Sequence, residues 1–179
     1  MAWFERPLRL WTLAALVILS SALAVGAWVI DAAPTTLLIV RHADRTDRDD
    51  ALSPRGTTRA AALARALARA NLGAIYHSDT HRARDTAAPL AALLGLTPKV
   101  RPARDTSALV REISTEHRGE QVLIVGHSNT VPQIIRAAGG PDLPDLAEDA
   151  FDDLFVLTAV GRVRRRVTLV HLTYGDAAD

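Results

Sequence analysis

The sequence predicts a three-layer α/β/α fold in which helices cover both faces of a mostly parallel central sheet. Two segments, residues 37–40 and 122–125, consist only of aliphatic side chains, and such runs are typical of strands that are buried on both faces. Alanine-rich segments with apolar residues at helical spacing alternate with these strands. This alternation indicates parallel strands that are joined by crossover helices.

The individual elements follow from local signals along the chain. Ser53 suits the N-cap position and Pro54 the first helical position, so a helix is predicted from there to Gly73. The third helix is predicted to be capped by Thr106 or Ser107. The other predicted elements are strands over 74–78, 97–102 and 121–126, and helices over 80–94, 106–117 and 130–138.

Two more strands, over residues 152–160 and 161–175, are predicted to pair and complete the sheet. Residues 176–179 are expected to form a frayed tail. Alternate side chains of the last strand share one face, and its arginines are interpreted as a solvated sheet edge. The residues predicted on that face are Val163, Arg165, Val167, Leu169 and His171.

The N-terminus predicts a membrane-directed segment. Arg6 and Arg9 precede an uncharged run over residues 10–30, which is long enough to cross a bilayer as a helix. Residues 1–31 are therefore predicted to be an uncleaved signal anchor. The arginines on the leading side predict that the rest of the chain lies outside the cytoplasm.

A cleaved signal peptide is the alternative interpretation of the same segment, because the small residues there suit cleavage after Ala24 or Ala27. The mature domain would then be periplasmic or secreted. Residues 32–35 are predicted to be a linker in either case, followed by one folded domain over 36–175.

Composition excludes several kinds of function. The formal net charge is +1 and charged residues make up 23% of the chain, so no nucleic acid partner is predicted. The absence of cysteine excludes disulfides, thiolate metal sites and cysteine nucleophiles. The acidic residues Asp44, Asp47, Asp49 and Asp50 lack the glycine and glutamate of a calcium loop. No metal and no cofactor are predicted.

Chemically active residues follow the carboxyl ends of the predicted strands, where ligands bind in open parallel sheets. Histidines, arginines and a carboxylate would therefore converge on one edge of the sheet. The residues expected there are Arg41, His42, Ser78, Arg82, Arg104, Asp105, His127 and Asn129, whereas the nearby Arg84 is interpreted as a surface residue.

These residue types suit cleavage of a phosphomonoester. Arginine guanidinium groups bind phosphate oxygens through paired hydrogen bonds. A neutral imidazole can attack the phosphorus, and a second imidazole can stabilise the charge that develops. A carboxylic acid can protonate the leaving oxygen. Arg41 is expected to hold the phosphate that His42 attacks.

Four motifs together resemble those of the histidine phosphatase superfamily, which has the phosphoglycerate-mutase-like fold. In chain order they are "LLIVRHADR", "LSPRGTTRAAALA", "IYHSDTHRARDTAAPLA" and "VLIVGHSNTVP". They span roughly residues 35–132, most of the predicted domain.

The resemblance implies a role for each matching position. His42 would be the phosphorylated nucleophile and His127 the second histidine. Arg41 and Arg82 would bind the phosphate. Asn129 is also expected to bind the substrate, because it follows the fourth strand close to His127. The expected general acid is Asp105, with Asp44 as the alternative.

The predicted function is that of an exported, metal-independent phosphatase acting on a phosphorylated small molecule or a phosphoprotein. A catalytically weak protein of the same fold that binds phosphorylated ligands is an alternative. Another is a serine α/β-hydrolase with Ser128 as nucleophile and His171 as base, although Thr130 replaces a glycine that this turn needs. The mutase alternative is disfavoured by short loops, which leave little lid over the site.

Overall fold

The computed structural model describes residues 18–20, 33–46, 49–161 and 166–175. Most of the predicted anchor, residues 1–31, and the predicted tail lie outside these ranges. Within them, the structure has no helix that is long and apolar enough to cross a membrane.

From residue 33 onward, the described part of the chain contains six strands and four helices. The strands are β1 (Thr35–Arg41), β2 (Leu72–His77), β3 (Lys99–Val100), β4 (Gln121–Gly126), β5 (Asp153–Val160) and β6 (Arg166–Thr173). The helices are α1 (Pro54–Leu67), α2 (His81–Leu94), α3 (Thr106–Glu116) and α4 (Thr130–Ala137).

The six strands form one sheet in the order β3-β2-β4-β1-β5-β6. Strands β1 to β4 are parallel, while β5 pairs antiparallel with β1 and β6 antiparallel with β5. The predicted mostly parallel sheet is thus confirmed, and β6 is an edge strand. Of the face predicted for β6, Val163 and Arg165 lie outside the described residues.

Helices cover both faces of the sheet, because alternate residues of each central strand point in opposite directions. Leu38 and Val40 of β1 belong to a buried cluster with side chains of α1 and α2. Leu37 and Ile39 belong to a second cluster with side chains of α3 and α4. This arrangement confirms the predicted three layers and explains why the central strands are apolar on both faces.

The predicted end of the first helix at Gly73 is wrong. Helix α1 begins at Pro54 behind the N-cap Ser53, as predicted, but ends at Leu67. Asn71, with a φ of 48°, reverses the chain, and Gly73 lies at an irregularity of β2. Gly73 belongs to strand β2 and lies against the Glu120 side chain, so it does not end a helix.

Two smaller differences lie around α3. Asp105 is its N-cap and accepts a hydrogen bond from the Ala108 N–H at 3.1 Å, a role predicted for Thr106 or Ser107. Strand β3 covers only residues 99–100 because it pairs with β2 at two positions.

Candidate active site

A cavity of about 810 Å³ opens at the carboxyl ends of β1 and β4 and beside the N-termini of α2 and α4. It brings together most of the residues predicted from separate motifs. Those that line it are Arg41, His42, Arg82, Arg104, His127 and Asn129. Asp105 is not among the lining residues.

The loop after β1 is held against the start of α1, and this contact helps to position Arg41 and His42. The Asp44 carbonyl accepts a hydrogen bond from the Ser53 N–H at 2.9 Å, and a Cβ at Gly56 would overlap that carbonyl. The Asp44 carboxylate accepts a hydrogen bond from Arg59 Nε at 2.5 Å and pairs with Arg55 at 3.4 Å. Asp44 therefore anchors the loop to α1.

His42 is buried, with 3% of its surface exposed. Its backbone N–H donates to the Gly126 carbonyl at 2.9 Å, which ties it to β4. Its Nδ1 donates to the Ala43 carbonyl at 2.9 Å, so in the neutral ring the proton is on Nδ1 and Nε2 carries the lone pair. Nε2 has no hydrogen-bond partner in the described part of the chain. It is the atom available for nucleophilic attack.

The pKa of His42 is lowered to about 3, first by burial and then by the positive charge of Arg82, although the hydrogen bond to Ala43 opposes this. His42 is therefore neutral near pH 7. A neutral imidazole is the form that can act as a nucleophile.

His127 lies beside His42, with 5.2 Å between the ring centroids. Arg82 Nη2 donates to His127 Nδ1 at 3.3 Å, so the neutral ring carries its proton on Nε2, which lies 2.8 Å from Ser78 Oγ. Burial and then the Arg82 charge lower the pKa of His127 to about 4. The backbone around it is fixed as well, because its N–H donates to Thr130 Oγ1 at 2.8 Å at the start of α4.

Arg41 connects the reaction centre to a segment close to β5. Its Nη1 donates to three backbone carbonyls, those of Ala147 at 2.7 Å, Glu148 at 3.0 Å and Ala150 at 3.1 Å. Its guanidinium lies 3.9 Å from the Phe151 ring centroid. Burial and then the charge of Arg45 lower its pKa. Its buried Nε has no partner among the residues described.

Arg82 extends from the first turn of α2 and makes two contacts at the site. Its Nη1 donates to Asp50 at 2.5 Å, and its Nη2 contacts His127. Asp50 also accepts the His81 N–H at 2.7 Å. Burial alone would raise the pKa of Asp50, but the His81 N–H and the Arg82 guanidinium lower it below its usual value. The Arg82 Nε, like that of Arg41, is buried without an acceptor in the described ranges.

The structure does not bring either predicted general acid to the cavity. Asp105 is exposed, and its carboxylate caps α3. Asp44 pairs with Arg59 and Arg55 and does not line the cavity. Both carboxylates already have structural partners that the sequence did not reveal.

Ser78 was expected at this edge of the sheet, because it follows β2 directly, and its Oγ lies 2.8 Å from His127 Nε2. Asp50, Glu148 and Phe151 were not predicted individually, because each reaches the site through contacts that are distant along the chain. Phe151 also lies 5.9 Å from the His42 ring, between centroids.

The serine hydrolase alternative is not supported by the geometry. Ser78 hydrogen-bonds His127, whereas Ser128 binds the Leu146 N–H through its carbonyl. The proposed base, His171, lies on β6, where its Nε2 is 2.6 Å from Asp153 and its ring stacks on Phe155. The described residues contain no group of three or more histidine, aspartate or glutamate side chains that could hold a metal ion.

The arrangement of a neutral buried histidine with a free Nε2, a second histidine and two arginines on an α/β fold suits phosphoryl transfer. Residues 37–105 match the family model of the histidine phosphatase superfamily, branch 1. This match, over less than half of the chain, agrees with the resemblance of the four motifs. No protein with a curated description matches the sequence.

Solved structures share the fold at low sequence identity. A mycobacterial glucosyl-3-phosphoglycerate phosphatase with VO3 is 20% identical, with a TM-score of 0.62 over 78% of this chain and 99% of the other. Mycobacterial hydrolase 2 is 18% identical, with a TM-score of 0.63 over 81% of this chain and 94% of the other. The protein histidine phosphatase SixA with tungstate is 17% identical, with a TM-score of 0.60 over 77% and 96%.

Proposed function

We propose that the protein hydrolyses phosphomonoesters through a phosphohistidine on His42. One observation carries the proposal: the unprotonated Nε2 of a buried, neutral His42 opens on a cavity that is lined by His127, Arg41 and Arg82. The buried N–H groups of the two arginines that lack acceptors support an oxyanion as the ligand.

The reaction would proceed in two displacements. His42 Nε2 attacks the phosphorus, a P–N bond forms, and the bond to the leaving oxygen breaks as that oxygen takes up a proton. Water then attacks the phosphorus and loses a proton, the P–N bond breaks, and inorganic phosphate leaves a neutral His42. Arg41 and Arg82 balance the charge on the phosphoryl oxygens, which is the task that a metal ion performs in other phosphoryl transferases.

The cavity supports a polar substrate that is larger than inorganic phosphate. Its outer part is lined by Arg45, Arg104, Asn129 and Gln133, and its volume of about 810 Å³ lies within the range of small-molecule sites. Both a phosphorylated metabolite and a phosphorylated protein side chain fit this description. The similar structures include a glucosyl-3-phosphoglycerate phosphatase and a protein histidine phosphatase.

The test of the proposed function is turnover without metal. We expect the full-length protein, purified in detergent and treated with a chelator, to release phosphate from 4-nitrophenyl phosphate at the untreated rate. Quenched samples should carry a phosphoryl group on the peptide that contains His42. Activity that disappears with the chelator and returns only with a divalent cation would contradict the mechanism.

A ligand-binding protein without turnover is the second candidate function. It is supported by the observation that neither Asp105 nor Asp44, the predicted acids, lines the cavity. Saturable binding of phosphate without phosphate release from any ester would favour this candidate.

We also propose that the domain is exported and, if residues 1–31 are retained, anchored in the cell membrane. The support is the uncharged run over residues 10–30 behind Arg6 and Arg9. A reporter enzyme that works only outside the cytoplasm, fused after Asp179, is expected to be active in intact cells. Activity of a cytoplasmic reporter at the same point would contradict export.

A further inference from the structure

We propose that Glu148 is the general acid–base of this site, a role that rests on the proposed phosphohistidine mechanism. The residue would protonate the leaving oxygen when His42 attacks and would then accept a proton from the water that hydrolyses the phosphoenzyme. Glu148 lies in the segment between α4 and β5, which the sequence suggested as a source of substrate specificity, but no catalytic role was predicted for it.

The position of Glu148 is the first support. It lines the same cavity as His42 and Arg41, and its charge raises the pKa of Arg41 while burial lowers it. The side chain is exposed on the cavity side of the domain. An acid at the open end of the site can reach a leaving group, because the nucleophile approaches the phosphorus from the opposite, buried side.

The backbone around Glu148 is held by the reaction centre itself. Arg41 Nη1 donates to the Glu148 carbonyl at 3.0 Å and to its neighbours Ala147 and Ala150. A turn closes between the Ala150 N–H and the Ala147 carbonyl at 3.1 Å, and the Leu146 N–H donates to the Ser128 carbonyl at 3.0 Å. The residue that holds the phosphate therefore also fixes the segment that presents the acid.

Elimination of the other nearby carboxylates is the second support. Asp105 caps α3, and Asp44 is paired with Arg59. Asp50 is held ionised by Arg82 and the His81 N–H, and an acid whose pKa is lowered donates its proton poorly. Asp79 is not among the lining residues. Of the described carboxylates, Glu148 is the one that lines the cavity.

Substrate binding would bring two acidic groups together at the site. A phosphate dianion on Arg41 would lie near the Glu148 carboxyl group, and a proton on that group would remove the repulsion between like charges. After proton donation, the Glu148 carboxylate stands beside the phosphohistidine with the charge needed to take a proton from water. The proton balance therefore closes over one turnover.

The test uses two esters of similar shape, 4-nitrophenyl phosphate and 4-nitrobenzyl phosphate. The phenolate leaves readily without a proton, whereas the alkoxide does not. In the full-length protein, Glu148→Gln is expected to lower kcat/KM more for the nitrobenzyl ester than for the nitrophenyl ester. The ratio of the nitrophenyl value to the nitrobenzyl value should therefore rise by about 100-fold. Asp149→Asn is the matched control, since Asp149 is exposed in the same turn but does not line the cavity. Its ratio should stay within about 2-fold of the wild-type ratio.

Labelling of His42 by 4-nitrophenyl phosphate shows that the Glu148→Gln protein is folded. A fall of equal size for both esters, or no change for either, would overturn the assignment of Glu148 while leaving the nucleophile intact. A raised ratio in Asp105→Asn or Asp50→Asn, and not in Glu148→Gln, would also overturn it. If the wild-type protein neither hydrolyses the esters nor becomes labelled, the phosphohistidine mechanism fails as well.

Discussion

Replacing His42 by alanine is expected to lower phosphatase activity by roughly 10⁴-fold or more, since the loss of a nucleophile removes the covalent route altogether. The reason lies in the tautomer: Nδ1 is bound to the Ala43 carbonyl, so Nε2 alone is available to attack. His127 does not replace it, because its Nδ1 accepts from Arg82 and its Nε2 is bound to Ser78. Phosphate release from 4-nitrophenyl phosphate measures the effect.

Two further variants make this result specific. His81→Ala removes an exposed histidine that does not line the cavity, so its activity should stay within about 2-fold of the wild-type value. Ser128→Ala tests the rival serine mechanism and should retain a phosphoenzyme on His42. Turnover by His42→Ala at the wild-type rate would disprove the phosphohistidine mechanism. A complete loss of turnover in Ser128→Ala, with turnover retained in His42→Ala, would disprove it as well.

Replacing Arg41 by lysine is expected to lower kcat/KM by about 100-fold or more. Lysine keeps the charge but lacks the planar fork that can bind a phosphate and three backbone carbonyls at once, and each charged hydrogen bond of this kind contributes about 1.5–3 kcal/mol. The same change should loosen the segment over residues 146–151. Faster amide hydrogen exchange in that segment would report the second effect.

Arg82→Lys is the matched comparison for Arg41→Lys. Both arginines line the cavity, but Arg82 contacts Asp50 and His127, and no hydrogen bond joins it to the described residues 146–151. We expect a comparable loss of kcat/KM and wild-type hydrogen exchange in the segment. Unchanged exchange in Arg41→Lys would show that the three carbonyl contacts do not hold the segment.

The sequence was a good guide wherever the structural signal is local. The aliphatic runs of β1 and β4 predicted buried parallel strands, and Ser53 with Pro54 predicted the start of α1. The placement of Arg41 and His42 at a strand end followed from the same pattern, because neighbouring parallel strands end at one edge of the sheet. The end of α1 was mispredicted because the helix ends at Leu67 and Gly73 already belongs to β2, at an irregularity of its pairing with β4.

The candidate general acid shows where sequence analysis stops. Asp105 has a suitable position along the chain, but its carboxylate satisfies an N–H at the start of α3, which is a local contact that the pattern did not reveal. Glu148 lies 107 residues from Arg41 along the chain and reaches the site because Arg41 binds its carbonyl. No spacing in the sequence records such a contact.

The sequence by itself therefore determined the fold class, the two histidines and the two arginines of the site, since these depend on strand patterns and short motifs. The tertiary structure alone decided which nitrogen of each histidine carries the proton, which carboxylate meets the cavity and what each arginine holds. Those properties arise from hydrogen bonds and burial between segments that are far apart along the chain, and they exist only after the chain has folded.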